Sequence, residues 1–122
     1  MVKILIVDDV EGIRQSLQIV LECAGFDILE AENGRDALDA LKKTDDVDIV
    51  LTDIMMPKMN GLQLCKEIRN TFKHIKIIAM SGGGSLLQDA PTLEDAAKFA
   101  DKVIRKPFRK GDILTLLDEM IA

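Results

Sequence analysis

The sequence contains few of the aromatic residues on which nucleic-acid bases stack. Its 122 residues include no Trp or Tyr, four Phe, two Cys and one His. With so few aromatic rings, platforms on which bases could stack are not expected. The net charge of −5 also opposes binding to a phosphate backbone. We therefore expect no direct binding of nucleic acid.

Long hydrophobic runs are missing as well. No apolar stretch approaches the roughly 20 residues needed to cross a membrane. The apolar run at residues 4–7 is too short for a signal peptide and leads directly into two acidic residues. We expect no membrane insertion and a cytoplasmic location. Cys23 and Cys65 form no CxxC pair, and we expect both to be thiols in the core.

Short apolar runs occur at five places along the chain, at residues 3–7, 26–31, 47–52, 75–80 and 102–104. They are rich in β-branched and aliphatic residues, which is typical of buried parallel strands. Between them, apolar residues recur at helical spacing. These helical positions are Ile13, Leu17, Val20 and Leu21; Ala37, Leu38 and Leu41; Leu64, Cys65, Ile68 and Phe72; Leu93, Ala96, Ala97 and Ala100; and Ile113, Leu116, Leu117 and Met120.

Strands that alternate with helices predict an α/β fold, in which a doubly wound parallel sheet is covered by helices on both faces. Gly25 is a natural stop for the first helix, and Asn33 can cap the second. The fourth helix would start at Asp89 or Pro91. No linker or repeat interrupts the pattern, so we expect one domain over residues 1–122 and no output domain.

Five polar residues fall just after four of these runs, at residues 3–7, 47–52, 75–80 and 102–104: Asp8, Asp9, Asp53, Ser81 and Lys106. Parallel strands end at one edge of the sheet, so these residues should meet there. Three neighbouring carboxylates resist ionisation unless a cation compensates, and hard oxygen ligands suit Mg²⁺. A lysine and a hydroxyl beside them favour phosphoryl transfer, in which a carboxylate can be the nucleophile.

Less specific interpretations exist for some of these residues. Asp8 or Asp9 could be the N-cap of the first helix, and Lys106 could be a solvated lysine. His74 is expected to be an exposed loop residue far from this edge.

The segment 53–61 reads DIMMPKMNG, which fits the DxxMPxMxG pattern of a known family. With the Asp8-Asp9 pair, Ser81-Gly82 and Lys106-Pro107, the chain resembles the receiver domain of bacterial two-component response regulators, of the chemotaxis-regulator type. The resemblance covers almost the entire chain. It implies a flavodoxin-like sheet of five strands in the order 2-1-3-4-5, with five helices.

The resemblance also implies a role for each site residue. Asp53 would accept a phosphoryl group from a phosphohistidine on a sensor histidine kinase or a phosphotransfer protein. Asp9, Asp53 and the backbone carbonyl of Met55 would bind Mg²⁺, and Asp8 would act directly or through water. Lys106 would pair with the phosphoryl oxygens.

The switch residues implied by the resemblance are Ser81, Gly82 and Val103. The Ser81 hydroxyl would turn toward the phosphoryl group and pull the loop from Gly82 onward. This movement would reshape the face formed by the fourth helix, the fifth strand and the last helix, where a downstream protein would bind. The family usually carries Tyr or Phe at the position of Val103, so the usual aromatic coupling is not expected here.

Two other functions were weighed. Aspartate-nucleophile phosphohydrolases that use Mg²⁺ need a second Asp two residues after the nucleophile, and Met55 occupies that position. A module with the same fold could also bind partners without phosphorylation, which Val103 leaves open. The favoured function is a signalling domain that assists its own phosphorylation and dephosphorylation but is not an enzyme.

Overall fold

The computed structural model describes residues 2–54, 61–81, 98–106 and 108–121, with only the main chain of Ser81. The strands are β1 (Lys3–Val7), β2 (Asp27–Ala31), β3 (Ile49–Asp53), β4 (Lys76–Ser81) and β5 (Lys102–Arg105). The helices are α1 (Glu11–Cys23), α2 (Gly34–Lys43), α3 (Gly61–Thr71) and α4 (Lys110–Ile121). Within these ranges, no helix is long and apolar enough to cross a bilayer.

The five strands form one parallel sheet in the order β2-β1-β3-β4-β5, which confirms the predicted order. Val7 of β1 lies level with Thr52 of β3, and Met80 of β4 lies level with Asp53. The residues that follow β1 and end β3 and β4 therefore reach the same edge of the sheet. The limits of β1 are as predicted, and those of the other strands differ from the predicted runs by one or two residues.

The core lies on both faces of the sheet because successive side chains of a strand point to opposite sides. On one face, Leu5 and Val7 pack with residues of α2 and α3, including Leu41 and Leu64. On the other face, Ile4 and Ile6 pack with Leu21 of α1 and Leu117 of α4. The apolar residues of β1 are fully buried from residue 4 to residue 7. The uninterrupted apolar runs in the sequence follow from this burial on both faces.

Two predicted helix ends are confirmed. The backbone of Gly25 has a φ of 97°, a conformation that glycine adopts without a steric penalty, and it follows the end of α1. The side chain of Asn33 accepts a hydrogen bond of 2.9 Å from the amide of Asp36 and caps α2. His74 lies in the turn between α3 and β4 and is exposed, as predicted.

Most of the predicted helix near residues 91–100 falls outside the described residues. Ala100, its predicted last apolar position, lies in irregular chain just before β5. Arg69 of α3 holds this stretch by donating from Nε to the carbonyl of Phe99 and by pairing with Asp101. Asp101 also accepts a hydrogen bond of 2.7 Å from the amide of Ile77 on β4. These contacts tie the chain to α3 and β4 before β5 begins.

The two cysteines lie in different environments. Cys65 of α3 is fully buried in the core, as predicted. Cys23 is exposed at the end of α1, so its predicted place in the core is wrong. Burial raises the pKa of the Cys65 thiol to about 12 because a thiolate there would be poorly solvated.

We predict that iodoacetamide near pH 8 modifies the native protein once, at Cys23, because alkylation requires an accessible thiolate. Intact mass should show one adduct on the native protein and two after unfolding in urea. In a Cys23→Ser control, the native protein should remain unmodified. Fast alkylation of Cys65 in the native state would contradict the burial of this thiol.

Candidate functional site

Three carboxylates meet at the carboxyl edge of the sheet. Oxygen atoms of Asp8, Asp9 and Asp53 all lie within 4.8 Å of one another. Asp8 is fully buried and Asp53 is 7% exposed, whereas Asp9 is exposed to solvent. The register explains the cluster, because Asp8 and Asp53 each follow a pair of residues that lie level in β1 and β3. The sequence-based prediction that these residues meet is confirmed by this geometry.

The side chain of Lys106 reaches the two least exposed carboxylates. Its Nζ lies 3.0 Å from Oδ2 of Asp8 and 3.3 Å from Oδ2 of Asp53. Burial favours the neutral amine, but the hydrogen bond to Asp8 and the charges of Asp53 and Asp8 outweigh it, so the pKa of Lys106 is raised. The ammonium therefore stays charged and compensates part of the negative charge. The interpretation of Lys106 as a solvated lysine does not fit these contacts.

Asp8 has partners for its main-chain groups and for both carboxylate oxygens. Its amide donates to the carbonyl of Ala31 at 3.2 Å, and its Oδ1 accepts from the amide of Val10 at 2.9 Å. Its carbonyl accepts from Nη1 of Arg14 at 2.6 Å. The N-cap of α1 is Val10, so neither acidic residue occupies the cap position. Asp8 is therefore fixed in place by residues from several elements.

The main chain of Asp53 is packed just as closely. The hydroxyl of Thr52 donates to the Asp53 carbonyl at 2.9 Å. The amide of Gly61 donates to the carbonyl of Ile54 at 2.8 Å, which brings the start of α3 against the end of β3. A Cβ atom at Gly61 would lie 2.2 Å from the Asp53 carbonyl oxygen and 2.6 Å from Cα of Ile54. Only glycine fits at this position.

Several predicted site residues fall outside the described residues or are only partly described. Met55, whose carbonyl was predicted to bind metal, and the switch residue Gly82 lie outside them. Ser81 ends β4 opposite Arg105, so its main chain reaches the predicted edge. Val103 is partly buried on β5 and packs against Ile54 and Ala79. The predicted switch is thus described at Val103 and at the main chain of Ser81.

Sequence reasoning missed Arg14 as a part of this site. Arg14 lies three residues before Leu17 and seven before Leu21, which places it on the buried side of α1. A charged residue on an apolar stripe was a signal that could have been used. Its partner Glu30, 3.4 Å from Nε of Arg14, is on β2 and could not be paired with it from sequence spacing.

The carboxylate cluster fits a hard divalent cation. Carboxylate oxygens are the ligands that Mg²⁺ prefers, and one ammonium compensates only part of the charge of three carboxylates. The exposure of Asp9 leaves the cluster open to solvent on one side. The donor atoms therefore suit a site in which the ion keeps several waters.

Residues 4–118 match the model of the response regulator receiver domain family. The chain belongs to this family. Receiver domains are signalling domains of two-component systems, they bind Mg²⁺ at an acidic pocket, and they are generally not classed as enzymes. The prediction of the family is therefore confirmed.

Among curated proteins, the chain is 32% identical over 120 residues to the response regulator MprA of Mycolicibacterium vanbaalenii. The alignment covers 98% of this chain and 50% of that protein. The MprA of Mycobacterium bovis is 30% identical over the same length, again with 50% of the relative covered. The chain thus spans about half the length of the curated relatives that it matches.

Solved structures agree with the fold. The response regulator TrrA of Thermotoga maritima, in complex with Mg(2+)-BeF, is 32% identical with a TM-score of 0.83. The chemotaxis response regulator CheY4 of Vibrio cholerae is 30% identical, also with a TM-score of 0.83. In both cases the match covers 98% of this chain and 98% of the solved chain. The flavodoxin-like fold is therefore confirmed.

We predict that Lys106→Met lowers the free energy of unfolding by about 2–4 kcal/mol without Mg²⁺, because it leaves buried carboxylates without their cation. Urea unfolding followed by circular dichroism in EDTA measures this loss. The contribution of Lys106 should persist up to the usual lysine pKa of 10.5 and disappear as the pH rises through the raised pKa.

Lys102→Met is the matched control. Lys102 faces Glu119 at 3.8 Å with both side chains largely exposed, so its loss should change stability by less than about 0.5 kcal/mol. Equal effects of the two lysine substitutions would show that the Lys106 contacts contribute no more than a surface pair.

We also predict that Gly61→Ala destabilises the protein by about 2–3 kcal/mol, because the main chain of Asp53 must move away from the new methyl group. Gly12→Ala on α1 is the control. It meets no atom within 4 Å and should be neutral or stabilise by about 0.5–1 kcal/mol. Thermal unfolding of both variants compares them. A Gly61→Ala variant as stable as Gly12→Ala would contradict the close contact.

Proposed function

We propose that this receiver domain is the phosphoacceptor in a His-Asp pathway and that Asp53 receives the phosphoryl group. The observation that carries the proposal is the position of Lys106. Its ammonium lies within 3.3 Å of both Asp8 and Asp53 at an edge that Asp9 leaves open to solvent. An acceptor carboxylate, a fixed cation and further acidic ligands are then in one place.

The transfer follows from the chemistry of these groups. An oxygen of the ionised Asp53 carboxylate attacks phosphorus and forms an acyl phosphate. The bond between phosphorus and the donor histidine nitrogen breaks, and its electron pair leaves with the imidazole. Lys106 stays protonated throughout and exchanges its contact with the Asp53 carboxylate for contacts with the phosphoryl oxygens.

The proposed ligands of Mg²⁺ are Asp9, Asp53 and the carbonyl of Met55, with Asp8 binding directly or through water. When bound, the ion supplies positive charge that neutralises the phosphoryl oxygens during transfer. The carboxylate cluster and the complex of TrrA, a relative of 32% identity, with Mg(2+)-BeF support this assignment. The Asp8 side chain, already bonded to Val10 and Lys106, would hold the ligand set in place.

We propose further that Ser81 and Gly82 carry the signal away from Asp53. Val103 stands where the family usually has an aromatic ring, and it packs against Ile54 and Ala79. Without a ring at this position, the response would depend on the Ser81 hydroxyl and the loop after it. The downstream protein would recognise the surface that includes β5 and α4. The donor would be a sensor histidine kinase or a phosphotransfer protein.

Val103 also supports a second candidate function, a receiver-fold module that binds its partner without phosphorylation. In that case the acidic edge would be retained for structure, and phosphorylation would leave partner binding unchanged.

We predict one Mg²⁺-dependent phosphoryl adduct when the protein is incubated with acetyl phosphate. Intact mass measured with Mg²⁺ and with EDTA gives the readout. Asp53→Asn should show no adduct because it lacks the nucleophilic oxygen.

Asp39→Asn, which removes an exposed carboxylate of α2, should be phosphorylated like the wild type. Absence of an adduct under all conditions, with folded protein, would favour the phosphorylation-independent module. An adduct that persists in Asp53→Asn would place the acceptor elsewhere.

A further inference from the structure

Arg14 makes two contacts on the buried side of α1. Its Nη1 donates to the main-chain carbonyl of Asp8 at 2.6 Å, and its Nε lies 3.4 Å from Oε1 of Glu30. The Arg14 side chain is 14% exposed. A guanidinium group is planar and presents its N–H donors in fixed directions, so it can serve both partners at once. Arg14 therefore links α1, β2 and the end of β1.

The Asp8 carbonyl belongs to the peptide group that connects Asp8 to Asp9. Because a peptide group is planar, the direction of this carbonyl also fixes the direction in which the chain enters Asp9. The other groups of Asp8 are held by Ala31, Val10 and Lys106. The hydrogen bond from Arg14 fixes the remaining group of Asp8, its carbonyl, which lies on the side of Asp9.

Asp9 depends on this fixation more than its neighbours do. Its carboxylate is exposed, and the described part of the chain offers it no hydrogen-bond donor. Asp8 and Asp53 are held by Lys106, whereas among the described residues no side chain holds the Asp9 carboxylate, so its place in the cluster depends on the direction of its main chain. A rotation of the Asp8–Asp9 peptide group would move the Asp9 carboxylate away from the other two.

We infer that Arg14 is a positioning residue of the metal site: by holding the Asp8 carbonyl, it aims the Asp9 carboxylate and so strengthens binding of Mg²⁺. The inference rests on the proposed function, because it assumes that Asp9 is a metal ligand. Glu30 has a supporting role, since it pairs with Nε and keeps the guanidinium plane directed at Asp8.

The sign of the effect separates positioning from simple electrostatics. Arg14 is a cation close to an acidic cluster. If only its charge mattered, the removal of Arg14 should therefore tighten the binding of Mg²⁺. If Arg14 positions Asp9, its removal should instead weaken binding. Loss of a residue that orients a metal ligand typically costs tenfold or more in affinity.

The experiment is a titration of the unphosphorylated protein with MgCl₂, followed by the ¹⁵N and ¹³C′ NMR shifts of Asp8, Asp9 and Val10. For Arg14→Met we expect the Kd to rise about tenfold. The Asp8 ¹³C′ shift should also change before any Mg²⁺ is added, because the carbonyl loses its donor. A Kd equal to or below that of the wild type, with folded protein, would overturn the inference.

Arg35→Met is the charge-matched control. Arg35 is exposed in the first turn of α2, which starts at the same edge of the sheet. Its removal should leave the Kd unchanged or slightly lower. A tenfold rise in this control as well would show that the effect does not come from the contact of Arg14 with Asp8, and it would overturn the inference.

Arg14→Lys provides a second variant if Arg14→Met does not fold. It keeps the charge, but its single nitrogen cannot replace two donors of a planar fork. We expect the Kd to rise at least about threefold, less than in Arg14→Met. Wild-type affinity in Arg14→Lys would show that the two donors of the guanidinium group are not needed, and it would overturn the inference.

Asp9→Asn separates failure of this inference from failure of the proposed function. If the wild type binds Mg²⁺ and Asp9→Asn does not, but Arg14→Met binds normally, only the role of Arg14 is overturned. If the wild type does not bind Mg²⁺, or Asp9→Asn binds as tightly as the wild type, the metal-ligand role of Asp9 fails and the inference fails with it.

Discussion

The contact of one ammonium with two nearly buried carboxylates is the interaction on which the acidic edge depends. Moving a carboxylate out of water is strongly unfavourable unless a cation and hydrogen bonds compensate for it. Lys106 supplies that charge to Asp8 and Asp53, which come from neighbouring strands. The end of β5 must therefore lie where it does for the ends of β1 and β3 to carry their charges. The charge balance of the acidic edge therefore depends on how the strands of the sheet pack.

Around this contact, the main chain is fixed as firmly as the side chains. Arg14 holds the carbonyl of Asp8, and Thr52 donates to the carbonyl of Asp53. Gly61 allows α3 to start directly against the main chain of Asp53. Such fixed groups suit phosphoryl transfer, in which positioning and neutralisation of charge account for most of the catalysis. The side of the cluster that faces solvent is that of Asp9.

Much of this arrangement could be predicted from the sequence because it depends on local patterns. The apolar runs predicted five strands, and the parallel order then placed Asp8, Asp53 and Lys106 at one edge. Features that depend on how the side chains of a helix pack against the sheet were not predicted. The pairing of Arg14 with Glu30 requires the packing of α1 on β2, and this pairing cannot be predicted from the spacing of residues in the sequence. Cys23 was assigned to the core because the sequence alone does not show at which residue a helix stops packing against the core.

Lys106 is separated along the chain from Asp8 by 98 residues and from Asp53 by 53 residues. During synthesis, both carboxylates leave the ribosome well before their cation does. The first three strands can pair at that stage, but their acidic ends must stay hydrated or take up other cations until β5 docks. The site is therefore completed only in a late step that joins residues far apart in the chain. Such steps slow folding, because a long loop must close before its ends can make contact. A truncated chain that ends before residue 106 would carry the acidic residues without the charge that lets them be buried.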